Sequence, residues 1–124
     1  MDANLNSEIS PFIKVKMIDN QEKIIGKIND KVQVVISLPN MDEFTVDLMV
    51  SMTIFSDDAE CFIITASKED VIEKTLKKFD LQKSSISTDY EDFARAFNIK
   101  EDNKLKKSLM IIDKNSNIAY QDIL

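Results

Sequence analysis

Residues 44–55 read FTVDLMVSMTIF, and two incompatible periodicities fit them. Val46, Leu48, Val50, Met52 and Ile54 alternate with Thr45, Asp47, Met49, Ser51 and Thr53. Four of those five intervening residues are polar or hydroxylated, the period-2 pattern of a strand. A helix is possible only if it is mostly buried, with a narrow polar edge at Asp47 and Ser51. The neighbours on either side decide between the two. Residues 31–38 (KVQVVISL), stopped by Pro39 and Asn40, and residues 61–66 (CFIITA) are near-continuous apolar runs rich in branched side chains. Runs of this length suit central strands covered on both faces. Parallel neighbours need a crossover between them, usually a helix. The topology therefore predicts a helix over 44–55. The class is α/β, with a parallel or mixed sheet and helices on both faces.

Outward from this centre the pattern is simpler. Over 12–18, Ile13, Val15 and Met17 alternate with Lys14 and Lys16, a half-buried strand. Residues 19–22 (DNQE) form a turn by composition. The only glycine, Gly26, lies in a short extended piece over 23–28. Residues 67–79 are the clearest helix. Val71, Ile72, Thr75, Leu76 and Phe79 share one face, and Ser67 stands where an N-cap belongs. Thr88 to Glu91 reads as a capping box that opens a short helix burying Tyr90, Phe93, Ala94 and Phe97. Residues 108–112 and 118–124 are strands joined by the turn DKNSN at 113–117. Residues 1–10 form a polar lead-in expected to be mobile, and 11–124 a single domain.

Composition narrows the chemistry. The chain has 124 residues, 44% hydrophobic and 31% charged, with one cysteine and no histidine. Without histidine there is no imidazole base and no Ser-His or Cys-His pair. One cysteine excludes an intrachain disulfide and any CxxC motif. The net charge of −6 argues against nucleic-acid binding, which rests on neutralising phosphates. No apolar run is long enough for a membrane span, and the start of the chain has no secretory h-region. The expectation is an acidic cytoplasmic protein that needs no cofactor or metal.

The order of elements, with the residues that fill it, resembles the peroxiredoxin superfamily, and within it the bacterial thiol peroxidases. KVQVVISLPNMD (31–42) is similar to the strand that runs into that family's Pro-x-x-Asp-Thr-x-x-Cys loop. CFIITASKEDVIEKTLKKFDL (61–81) is similar to the next strand and helix. FARAFNIKEDNKLKKSLMIIDKNSNIAYQDIL (93–124) is similar to the closing strand, turn and strand, and 11–31 fits the hairpin ahead of the core. The resemblance implies a thioredoxin-like three-layer sandwich with an N-terminal β-hairpin and a central mixed sheet. The family's C-terminal helix has no counterpart in these residues.

The resemblance also implies where peroxide chemistry belongs. The peroxidatic cysteine is expected seven residues after Pro39, at Val46, or at Asp47 with a slip of one. The supporting threonine position holds Glu43, the resolving position in the helix falls at about Leu76, and the active-site arginine position holds Lys107. Lysine keeps the charge but loses the planar donor pair. A thiolate is the nucleophile this chemistry requires, and Cys61 is the only sulfur nucleophile present. Asp57, Asp58 and Glu60 precede it and would raise its pKa. Its simplest role is a small apolar residue at a strand start; thiol-dependent peroxidase or sensor chemistry with an external thiol is the alternative.

Other clusters read more plainly. Asp42, Glu43 and Asp47 could hold a metal or act as acid and base, but carboxylates also favour helix N-termini. Asp113, Asn115 and Asn117 superficially resemble the start of a calcium loop without its glycine or its closing glutamate. Lys104, Lys106 and Lys107 form a local basic stretch. The apolar excess at Phe44, Leu48, Met52 and Phe55 points to a contact surface. The resulting expectation is a degenerate thiol peroxidase without redox catalysis, working as a homodimer or protein-interaction module.

Overall fold

The computed structural model describes residues 8–28, 30–55, 59–102 and 104–123, with 8, 51 and 53–55 described by backbone alone. Its strands are β1 (Glu8–Ile9), β2 (Ile13–Lys16), β3 (Glu22–Ile25), β4 (Val32–Leu38), β5 (Ala59–Thr65), β6 (Ile86–Ser87), β7 (Lys100–Glu101), β8 (Lys104–Leu105), β9 (Ser108–Ile112) and β10 (Asn117–Ile123). Its helices are α1 (Val46–Phe55), α2 (Glu69–Phe79) and α3 (Tyr90–Ala96), with 3-10 turns at Met41–Glu43 and Lys83–Ser85. One six-stranded sheet runs β1-β10-β9-β4-β5-β6. β4 is parallel to β5 and antiparallel to β9, and β5 is parallel to β6. The sheet is mixed, one of the two arrangements that the apolar runs implied.

The alternation of side chains along β4 and β5 sorts the core into two layers. Val35, Phe62, Ile64, Met110 and Ile112 face the β2–β3 hairpin and α3, where they meet Val15, Met17, Ile25, Phe93 and Phe97. Ile36, Leu38 and Ile63 face the other way, against Met41, Phe44, Ile72 and Leu76, with Leu48, Met49 and Met52 of α1 packed alongside. This is a thioredoxin-like three-layer sandwich.

The segment of conflicting periodicity is a helix. The Leu48 N–H donates to Thr45 Oγ at 3.2 Å, which caps α1, and the crossover between β4 and β5 overrides the strand pattern. The expected contact surface changes with it. Phe44 is buried, its ring edge-on to Phe79 at 4.9 Å, because it precedes the helix and plugs the core. Leu48 and Met52 are half-buried, and the Phe55 side chain lies outside the described residues. Among the described side chains of α1, the exposed apolar ones are Val46 and Val50.

Three local expectations are corrected. The lead-in does not extend through Ser10: Glu8 and Ile9 pair with Ile118 and Asn117, and the Ser10 N–H donates to the Ser116 carbonyl at 2.8 Å. A two-residue strand carries no readable period. Ser67 does not cap α2; Lys68 holds that position without a side-chain bond. Ser67 Oγ instead accepts the Met41 N–H at 2.5 Å. Thr88 does not form a capping box, since Asp89 occupies the N-cap of α3. Asp89 Oδ2 accepts the Lys16 N–H at 3.2 Å, and so spends its carboxylate on the hairpin.

A buried polar network closes the amino end of β4. Gln33, 1% exposed, accepts the Gly26 N–H at 2.7 Å and donates to the Ile24 carbonyl and to Glu60 Oε1, both at 3.0 Å. Ser116 Oγ donates to the Gly26 carbonyl. Gly26 has φ +95°, and a Cβ there would meet the Pro11 carbonyl oxygen at 2.2 Å, so the position requires glycine.

Candidate functional site

The carboxyl end of β4 carries the residues that sequence placed in a peroxidase site. Pro39 ends the strand, and the chain turns at once through Met41–Glu43. Asn40 Oδ1 accepts the Asp42 N–H at 2.9 Å, and Glu43 Oε2 accepts the Asn40 N–H at 3.3 Å. This reciprocal capping box explains the glutamate at position 43. Thr45 then caps α1, and Val46 is its first residue, 59% exposed.

Lys107 reaches the same end by register. Ser37 is paired with Ser108, so the residue before Ser108 lies beside the end of β4. Ser37 Oγ holds that junction, donating to the Lys106 carbonyl at 2.7 Å with Ser108 Oγ at 2.5 Å. Pro39, Glu43, Val46 and Lys107 are thus gathered at one end of the sheet.

Cys61 is not among them. It pairs with Val34, four residues before the Leu38–Thr65 pair, about 13 Å down the strand. Its thiol reaches the Met52 carbonyl at 3.9 Å. Burial, and then the Glu60 carboxylate, push its pKa up. Asp57 and Asp58, also expected to act on it, lie outside the described residues. Cys61 lines a cleft of about 520 Å³ with Met49, Met52, Phe79, Asp80 and Leu81. Leu76, at the position expected for a resolving thiol, is buried in the core beneath α2.

The remaining candidates separate by geometry. Asp42 and Glu43 serve the 3-10 turn, and Asp47 lies in the first turn of α1. Among the described residues no three acidic or thiol side chains converge as metal ligands. Asp113 Oδ1 accepts the N–H groups of Asn115 and Asn117, each at 2.9 Å, which makes 113–117 a side-chain-braced hairpin turn. Lys106 pairs with Glu101 at 3.7 Å, and Lys104 is exposed on β8.

Sequence reading missed a larger cleft of about 700 Å³, whose walls include Lys16, Ser67, Glu69, Ile72, Lys83 and Asp89. It is assembled from separate segments beyond the carboxyl ends of β5 and β6, so no local motif announces it.

The sequence matches no protein-family model. It matches no curated protein either. Solved structures do match. A peroxiredoxin-like protein from Aquifex aeolicus superposes with a TM-score of 0.75 at 20% identity, over 95% of this chain and 75% of that one. The reduced 2-Cys peroxiredoxin of Plasmodium vivax gives 0.68 at 14%, over 94% and 83%. A thiol peroxidase from Chromobacterium violaceum gives 0.67 at 12%, over 100% and 77%. The chain has the thioredoxin-like fold of the peroxiredoxins and thiol peroxidases.

Within that fold the chain presents an exposed helix N-terminus with no ionisable sulfur on it. The positive end of α1 would favour a thiolate, but Val46 stands there. The one thiol lies toward the other end of α1, hydrogen-bonded to a carbonyl and pushed toward its protonated form.

Proposed function

We propose that this chain is a thiol-peroxidase-like protein without peroxide chemistry, acting in the cytoplasm through protein contacts, as a homodimer or a partner-binding module. One observation carries the reading. The exposed start of α1 is Val46, while the only thiol, Cys61, sits at the far end of the sheet with its pKa raised. Peroxide reduction needs a thiolate that becomes a sulfenic acid and is then resolved, and neither step has a residue poised for it. The outward Val46 and Val50, beside half-buried Leu48 and Met52, supply an apolar face for contact.

A peroxide-consumption assay with dithiothreitol as reductant tests the catalytic half. The expected rate equals that of dithiothreitol alone, for wild type and for Cys61→Ser. Consumption above that baseline that disappears in Cys61→Ser would establish the competing reading, a peroxidase using Cys61 with an external thiol.

A further inference from the structure

Sulfur is spread unevenly through this molecule. The chain has six methionines and one cysteine, and Met1 lies outside the described residues. Met17, Met41 and Met110 are shut in the core at 1% exposure or less. Met49 and Met52 are the described methionines that keep partial access to solvent, and both line the cleft of about 520 Å³ that also holds Cys61. The crossover produces this placement. Met49 and Met52 stand three residues apart in α1 and so share a helix face, which packs against the layer of Ile36, Ile63 and Leu76. Side chains alternate along β5: Phe62 and Ile64 face the hairpin, and Ile63 faces the layer that α1 covers. Cys61 therefore projects toward α1, where its thiol reaches the Met52 carbonyl at 3.9 Å. One thiol and two thioethers, from two elements, line a single half-open cleft.

We propose that Met49, Met52 and Cys61 form a binding site for a soft monovalent cation, copper(I). Thiolate and thioether sulfur select this ion over harder ones. It is a closed-shell ion with no demand for a fourth ligand, so three sulfurs complete its shell. Charge balances as well. One thiolate neutralises one copper(I), and the centre brings no net charge into a half-buried cleft. As the sulfur–copper bond forms, the thiol proton leaves the Met52 carbonyl for solvent, and no electron is transferred. Zinc(II) would keep positive charge there and would find neither histidine nor a second thiolate. Asp80, a carboxylate on the cleft wall, is a hard donor suited to other ions. The site needs neither peroxide nor a partner protein, so its test stands apart from the peroxide assay.

Anaerobic titration of the reduced full chain with copper(I), in competition with bicinchoninate, tests the site. The wild type is expected to hold one copper(I) per chain against the chelator. Cys61→Ser should release it, and Met49→Leu and Met52→Leu should each weaken binding about tenfold or more. Leucine nearly conserves the volume of methionine, so these variants keep the fold, which circular dichroism checks. Met110→Leu, in the opposite layer, should bind like wild type. A folded wild type that surrenders all its copper(I) overturns the proposal. So does a double variant Met49→Leu/Met52→Leu that binds as tightly as wild type, since the thiol would then act without the thioethers. One ion shared between two chains, or zinc(II) held as tightly as copper(I), overturns it too.

Discussion

The two ends of β4 are built on opposite principles. At the amino end, Gln33 is buried and bonded to two separate segments, at Ile24 and Gly26 and at Glu60, Gly26 is locked against Pro11, and Ser116 reaches across from the β9–β10 turn. At the carboxyl end Asn40 and Glu43 cap their own turn and Thr45 caps its own helix, while the long-range bonds run through two serines, Ser37 to Lys106 and Ser108 and Ser67 to Met41. The first end is tied across the chain by the residues that define it; at the second, the side chains at 43, 46 and 107 take no part in the long-range bonds. Residues at the local end can therefore change identity at small cost to the fold. That is the end where the resemblance to the thiol peroxidases leads one to expect threonine, cysteine and arginine, and where the sequence has Glu43, Val46 and Lys107.

The contrast can be broken most directly at Gly26. Gly26→Ala drives a methyl group into the Pro11 carbonyl from a left-handed conformation, and about 2–5 kcal/mol of stability should be lost in chemical denaturation. Gln33→Leu removes the partner of the Gly26 N–H and the Ile24 carbonyl at similar volume, and about 2–3 kcal/mol should go. If either variant unfolds like wild type, the network is not what holds that end.

Thiol placement sharpens the comparison chemically. A cysteine moved to the open end, Val46→Cys in a Cys61→Ser background, should react with a disulfide reagent about tenfold faster or more than Cys61 does in the wild type. A smaller effect follows from the pKa of Cys61. Because it is raised in the native state, the native chain holds that proton more tightly than the unfolded one. Stability is unaffected below the ordinary thiol range and falls as pH rises from the unfolded thiol pKa toward the native one. Cys61→Ser should flatten that alkaline decline in urea titrations. The smallest effects belong to the local end itself: Val46→Ala and Lys107→Ala should each stay within about 0.5 kcal/mol of wild type. A larger loss at either would show that these side chains support the fold.

What was legible in the sequence was whatever repeats. β4 and β5 declared themselves by uninterrupted branched residues, and α2 by its apolar face. α1 was legible only through topology, because its own alternation argues for a strand. Pairing, by contrast, leaves little trace in short segments: β1, β6, β7 and β8 are two residues each and show no period. Gln33 was absorbed into an apolar run, since one polar residue in a buried strand has no local sign of its partners. Ser67 and Thr88 looked like helix caps because the capping rule is local. The structure spends the Ser67 hydroxyl on the Met41 N–H and leaves Thr88 exposed beside the true cap, Asp89. Phe44 read as surface for the same reason, as its burial depends on Phe79, a distant residue. The site positions were placed at one sheet end by resemblance, and the register of Ser37 with Ser108 brings Lys107 there.

The pairing order of β4 also bears on how the chain emerges from a ribosome. Val34 is opposed by Cys61 on one side and by Ile111 on the other. During synthesis, then, the most apolar strand gains its first neighbour early and its second only near the end of these residues. In the interval a nascent chain carries a half-paired central strand with an open edge. Contacts this distant in sequence slow folding and lengthen exposure to misassociation, so the final sheet forms only once β9 has left the exit tunnel.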